Sequence, residues 1–114
     1  MKILHNPRCG KSRNCLAIFD QKNIDYQVIK YLENPLTKEE IINLLKKLSI
    51  SPLELVRQKE TIWVEQFKNK SLTDDDIINA LVQFPILIER PIIIDGDKAI
   101  IAREEEKILN FINQ

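Results

Sequence analysis

Lys2-Ile3-Leu4-His5-Asn6-Pro7-Arg8-Cys9-Gly10-Lys11-Ser12 decides how this chain is read. Lys2 to His5 is a short apolar run suited to a β-strand, and the residues from about Gly10 to Gln21 suit an amphipathic helix. Cys9 therefore stands at a strand-to-helix turn, facing the first unpaired N–H groups of the helix. Those groups and the helix dipole favour an anion. A thiolate is an anion, so Cys9 is expected to ionise readily and to act as a nucleophile. Arg8, Lys11 and Arg13 pull in the same direction. The same N–H groups, with Gly10 beside the thiol, can hold an anionic substrate against it.

Working outward, Asn23 is a stop signal for that helix, and Tyr26 to Tyr31 is rich in β-formers. The chain thus opens β-α-β, which demands a right-handed crossover and a parallel strand pair. A helical block follows. Thr37-Lys38-Glu39-Glu40 is a capping box ahead of Ile41, Leu44, Leu45 and Leu48. Ser51-Pro52-Leu53-Glu54 is a second start signal, for a helix that Arg57 is expected to end. Thr73-Asp74-Asp75-Asp76 begins a third helix with Ile77, Ile78, Leu81 and Val82 as its stripe, and Pro85 ends it. Pro91 to Ile101 reads as a hairpin around Asp95-Gly96. Glu104 to Ile112 is expected as a closing helix with Ile108, Leu109 and Ile112 facing inward. The order predicts an α/β, thioredoxin-like fold: a mixed four-stranded sheet with an all-helical insertion, about residues 36–85, between the second and third strands. One domain over residues 1–114 is expected. The chain's two glycines, Gly10 and Gly96, are both read as places needing backbone freedom or close approach.

Bulk properties exclude several classes. Hydrophobic residues make up 44% and charged residues 30%, which argues against disorder. Lys+Arg and Asp+Glu balance at 17 each, so a generic nucleic-acid binder is not expected. No apolar run approaches the roughly 20 residues of a membrane span, and no leader pattern opens the chain. Two cysteines make no secreted disulfide framework, so a cytoplasmic location is expected; a monomer is the expectation for assembly. One histidine and two separated cysteines make no four-ligand zinc site, so no metal is expected.

Cys15 is the obvious candidate for a resolving thiol, but geometry argues against it. Six helical residues rise about 9 Å and turn about 600°, beyond the roughly 7 Å Cα separation a disulfide tolerates. Cys15 is therefore expected in the core, and a resolving thiol must come from another molecule. His5 leaves two readings open: a histidine satisfied by a backbone carbonyl, or a neighbour that stabilises the thiolate or orients Ser12. A phosphate-binding loop would need glycine where His5 stands. A phosphatase-type C-x5-R loop would need arginine where Cys15 stands. Arg57, Arg90 and Arg103 carry forks suited to a tetrahedral oxyanion, though each taken alone reads as a solvated surface residue.

His5-Asn6-Pro7-Arg8-Cys9-Gly10-Lys11-Ser12-Arg13-Asn14 closely resembles the signature of the glutaredoxin-linked arsenate reductase family. The likeness extends to Tyr31-Leu32-Glu33-Asn34-Pro35, Leu55-Val56-Arg57, Leu72-Thr73-Asp74-Asp75, Phe84-Pro85-Ile86-Leu87-Ile88 and Glu89-Arg90-Pro91-Ile92. The resemblance implies a thioredoxin-like enzyme that reduces arsenate to arsenite through Cys9, with no bound cofactor. Glutathione would be its co-substrate and glutaredoxin its partner. It assigns Arg57, Arg90 and Arg103 to the oxyanion, His5 and Ser12 to the neighbourhood of the thiolate, and a cis bond to Arg90-Pro91. Departures are Lys11, where the family often has threonine, and Glu104, where proline often follows the arginine. The same fold also resembles Spx-type regulators, which usually carry a C-x-x-C switch; here Ser12 takes its second position. A third reading keeps the thiol chemistry but gives it glutathione mixed disulfides instead of arsenate.

Overall fold

The computed structural model describes residues 1–113. Four strands form one mixed sheet in the order β2-β1-β3-β4: β1 (Lys2–Leu4), β2 (Gln27–Ile29), β3 (Ile92–Asp95) and β4 (Lys98–Ile101). The β1–β2 pair is parallel, with Ile3 opposite Val28, and the β1–β3 and β3–β4 pairs are antiparallel. This is the thioredoxin-like arrangement that the element order implies. The chain divides into two compact units, Met1–Glu33 with Arg90–Gln114, and Asn34–Glu89. The second lies between β2 and β3 in the chain.

In the first unit, α1 (Gly10–Gln21) crosses from β1 to β2. Its inward residues Cys15, Ile18 and Phe19 pack with Ile3, Ile93, Ala102, Ile108 and Phe111. The helix stops because Asn23 takes the left-handed conformation, φ 57°. The Ile24 N–H then bonds the Phe19 carbonyl and the Asn23 N–H bonds that of Asp20, which satisfies two carbonyls the helix would otherwise orphan. In the hairpin, the turn residues are Gly96 and Asp97, and Gly96 sits at φ 62°, so glycine fills the central position that needs it. Gly10 differs from the expectation. Its φ lies outside the left-handed region, and a Cβ built on it would meet only the Arg13 Nη2, at 3.8 Å. The closing helix α5 (Glu105–Ile112) buries Ile108 and Phe111; Leu109 and Ile112, expected inward, only flank the core. Ile108 and Phe111, three apart, share the buried face, while Leu109 and Ile112 form the adjacent apolar stripe.

In the second unit, α2 (Lys38–Leu48) and α4 (Asp74–Gln83) pack together. Both begin with complete capping boxes, Thr37 with Glu40 and Thr73 with Asp76. The start signal at Ser51 makes only a 3-10 turn, Pro52–Leu55, with the Glu54 carboxylate accepting from the Ser51 N–H. Arg57 thus follows a turn and does not end a helix. The insertion is helical apart from one isolated antiparallel bridge, Val56 with Ile88. A short helix, α3 (Thr61–Gln66), has no clear sequence signal, since Thr61, Ile62, Trp63 and Val64 are poor helix formers. Packing holds it: Trp63 is buried and stacks on Phe67 at 5.3 Å, and Phe67 meets Phe84 edge-on at 6.0 Å. Among the described residues, no helix is long and apolar enough to cross a membrane.

Candidate active site

The loop between β1 and α1 is built by hydrogen bonds that converge on Asn6. Its side-chain Oδ1 accepts from the Arg8 N–H at 3.0 Å, and its carbonyl accepts from the Cys9 N–H at 3.0 Å. Its own N–H donates to the Ser12 Oγ at 3.3 Å. Asn6 and Ser12 are both buried. Asn6 carries no assigned role in the residue pattern, although Asn-Pro is a turn signal that could mark it. The loop closes from outside as well, where the exposed Arg13 Nη1 donates to the Pro7 carbonyl at 3.0 Å. That contact commits Arg13 to the loop. Ser12, which takes the second position of a would-be C-x-x-C pair, is bonded to the backbone of Asn6.

Cys9 sits at the N-cap of α1 with extended backbone, and its thiol is half-buried. Partial burial pushes this thiol up, but it is outweighed. The Ser12 N–H, the Arg90 side chain and the Lys11 N–H all favour the anion by hydrogen bonding, and the Arg90 charge adds to them. The net result is a thiol held below its ordinary range. No short capping hydrogen bond closes on the Cys9 side chain.

Cys15 is the opposite case. It is fully buried in the first unit's core, and burial pushes its thiol up to about 11. Its place in the core is the one its helical phase implies. His5 is buried too, with its N–H bonded to the Ile29 carbonyl at 3.1 Å. Burial, and then the charge of Arg13, lower its pKa. The ring is accordingly neutral near pH 7, and His5 is not among the groups that lower the Cys9 pKa. Its Nδ1 is buried and accepts no hydrogen bond among the described residues.

The three arginines separate. Arg90 is buried and reaches Cys9. The Arg90–Pro91 bond is cis. The Arg103 Nη1 donates to the Arg90 carbonyl at 2.8 Å, and the Ala102 N–H donates to that of Pro91 at 2.8 Å. Glu104 does not compete for Arg103 within salt-bridge distance among the described contacts. Arg57 belongs to the other unit, where its N–H bonds the Leu87 carbonyl at 2.7 Å and its Nε pairs with Glu60 Oε1 at 3.1 Å. The structure thus brings Cys9, Gly10, Ser12, Arg90, Pro91 and Arg103 into one linked set, with His5 at the strand end behind the loop. Among the described residues, no three His, Cys, Asp or Glu side chains converge as a metal site would need.

Known proteins are similar to this chain in sequence and in fold. An arsenate reductase of Neisseria meningitidis is 34% identical over 110 residues, covering 95% of this chain and 94% of its own. The protein YfgD of Escherichia coli strain K12 is 40% identical over 114 residues, covering 98% and 96%. The solved structure of an arsenate reductase from Vibrio cholerae superposes with a TM-score of 0.87 at 36% identity, covering 96% of this chain and 97% of that one. The ArsC family pattern matches residues 4–111, from the last residue of β1 into α5, and so takes in the whole loop, the Arg90–Pro91 bond and Arg103: this chain belongs to the ArsC family.

Proposed function

We propose that the protein reduces arsenate to arsenite, with Cys9 as its nucleophile and with glutathione and glutaredoxin as reductants. The observation that carries this reading is the contrast at Cys9: a partly exposed thiol, held below its ordinary pKa by helix N–H groups and by Arg90. Family membership and the names of the relatives support arsenate as the substrate.

In this reading the Cys9 thiolate attacks arsenic, a sulfur–arsenic bond forms, and one arsenate oxygen leaves as hydroxide, which is protonated to water. The helix N–H groups at Gly10, Lys11 and Ser12, with the guanidiniums of Arg90 and Arg103, balance the oxyanion's charge. Arg57 carries its oxyanion role from the resemblance alone, and Glu60 now engages its guanidinium. A glutathione thiolate next attacks the Cys9 sulfur. A disulfide bond forms, the sulfur–arsenic bond breaks, and its electron pair stays on arsenic. Arsenic(V) becomes arsenic(III) and leaves as arsenite, while two thiols become one mixed disulfide. A glutaredoxin thiol then takes the glutathione and returns Cys9 to its thiol form. Such a cycle needs a reducing compartment, the cytoplasm.

The test is arsenite release, measured with glutathione and glutaredoxin and again with thioredoxin in their place. Turnover with the first pair supports the reading. Absence of arsenite with either reductant, from protein whose Cys9 still alkylates rapidly, rejects arsenate as substrate.

A further inference from the structure

Arg103 is assigned to the oxyanion by resemblance, yet its guanidinium makes a different contact. Nη1 donates to the Arg90 carbonyl at 2.8 Å in a part-buried setting. Arg90 in turn is the charged side chain that reaches the Cys9 sulfur. Arg103 is not among the groups acting on Cys9 directly. The two contacts form a relay of guanidinium to carbonyl, then guanidinium to sulfur. The following peptide is held as well, by the Ala102 N–H on the Pro91 carbonyl at 2.8 Å. The backbone at Arg90–Pro91 is therefore anchored on the segment after β4 at two adjacent carbonyls.

We propose that Arg103 is a positioning residue: its guanidinium clamps the Arg90 carbonyl and thereby holds the Arg90 side chain on the Cys9 sulfur. A buried side chain is aimed by its backbone, and a displacement of a fraction of an ångström is enough to weaken a charged hydrogen bond. The charges of Arg8, Lys11 and Arg13 are not among the causes of the Cys9 shift, so the other charged side chains of the loop do not duplicate this effect. His5 is neutral near pH 7, and Arg13 is committed to the Pro7 carbonyl. The inference deepens the proposed function but concerns the enzyme before any substrate binds.

The experiment follows Cys9 alkylation by iodoacetamide against pH, with no arsenate present and with the labelled peptide resolved by mass spectrometry. R103M removes every donor. R103Q keeps a neutral N–H donor without the charge. In R103M the inflection moves up by about half to one pH unit, which is roughly a three- to tenfold loss of thiolate at neutral pH. R103Q lies closer to wild type than R103M does. In an R90M background, R103M adds no further shift, because the relay is already cut. If R103M does not fold by circular dichroism, R103A, which also removes every donor, takes its place, with and without R90M. An unchanged inflection in every Arg103 variant overturns the proposal. So does a shift that persists undiminished in R90M, since Arg103 would then act on the sulfur by its own charge. Because no arsenate is used, failure here is separate from failure to release arsenite.

Discussion

Two sulfurs on one helix, six residues apart, have opposite fates. Cys9 lies at the mouth of α1, partly open to solvent, with N–H groups and a guanidinium lowering its pKa. Cys15 lies about one and two-thirds turns further along, sealed among Ile3, Phe19, Ile93 and Phe111, with its thiol pushed up to about 11. The chemical group is the same, and desolvation acts on both. Only at the helix mouth do compensating dipoles and charge exceed it. Reactivity here is a property of position along the helix and of the buried Arg90 beside that position.

The sharpest way to break this comparison is to remove each sulfur in turn. Cys9→Ser is expected to take arsenite release to background, a loss on the order of a thousandfold or more. Cys15→Ala is expected to keep most of the activity, with stability lower by about 1 kcal/mol for the lost packing. Equal losses in the two variants would overturn the single-thiol scheme. Next comes Arg90→Met, which should slow Cys9 alkylation at neutral pH by roughly tenfold, as one pKa unit implies, and leave Cys15 as unreactive as before. An unchanged rate would mean that the helix N–H groups suffice alone. Ser12→Ala takes the acceptor from the buried Asn6 N–H and should cost about 1–3 kcal/mol in a denaturant titration. It should also loosen the loop around Cys9 while Cys15 stays protected.

The smallest effect concerns His5. Its folded pKa is lowered, so as pH drops through its ordinary value of 6.5 the unfolded chain takes up a proton that the folded chain resists. Stability should therefore fall on the acid side of that value and be fully present above it. His5→Gln should flatten that acid limb in thermal melts from pH 7 to pH 5, within the order-of-magnitude range of a single histidine. A limb unchanged in the variant would show that carboxylates alone shape it.

Much of this was legible in the residues, for stated physical reasons. α1 begins and ends where its strand-to-helix handover and Asn23 indicate, because caps and left-handed stops are local chemistry. Thr37 and Thr73 mark α2 and α4 for the same reason. Helix α3 was not legible, since its stability comes from Trp63, Phe67 and Phe84 meeting in space. Phe111 in place of Leu109 was missed because two adjacent stripes of α5 are apolar and only packing chooses between them. At the candidate site, the thiol and its helix could be read locally. The Asn6 bonds within the loop, the Arg103 contact with the Arg90 carbonyl and the Glu60 contact with Arg57 could not, since each depends on where backbone atoms end up.

The sheet is bordered by short strands. Its outer strands are β2, with three residues, and β4, with four. At about 3.3 Å per residue, the rims offer only about 10 and about 13 Å of backbone. Lys98 opens β4 and Asp97 directly precedes it, so charge stands at the head of that border. A neighbouring polypeptide laid along either rim could make only a few ladder bonds, and along β4 it would meet charged side chains that resist burial. Strand addition, and the fibrillar stacking that grows from it, has almost no template here.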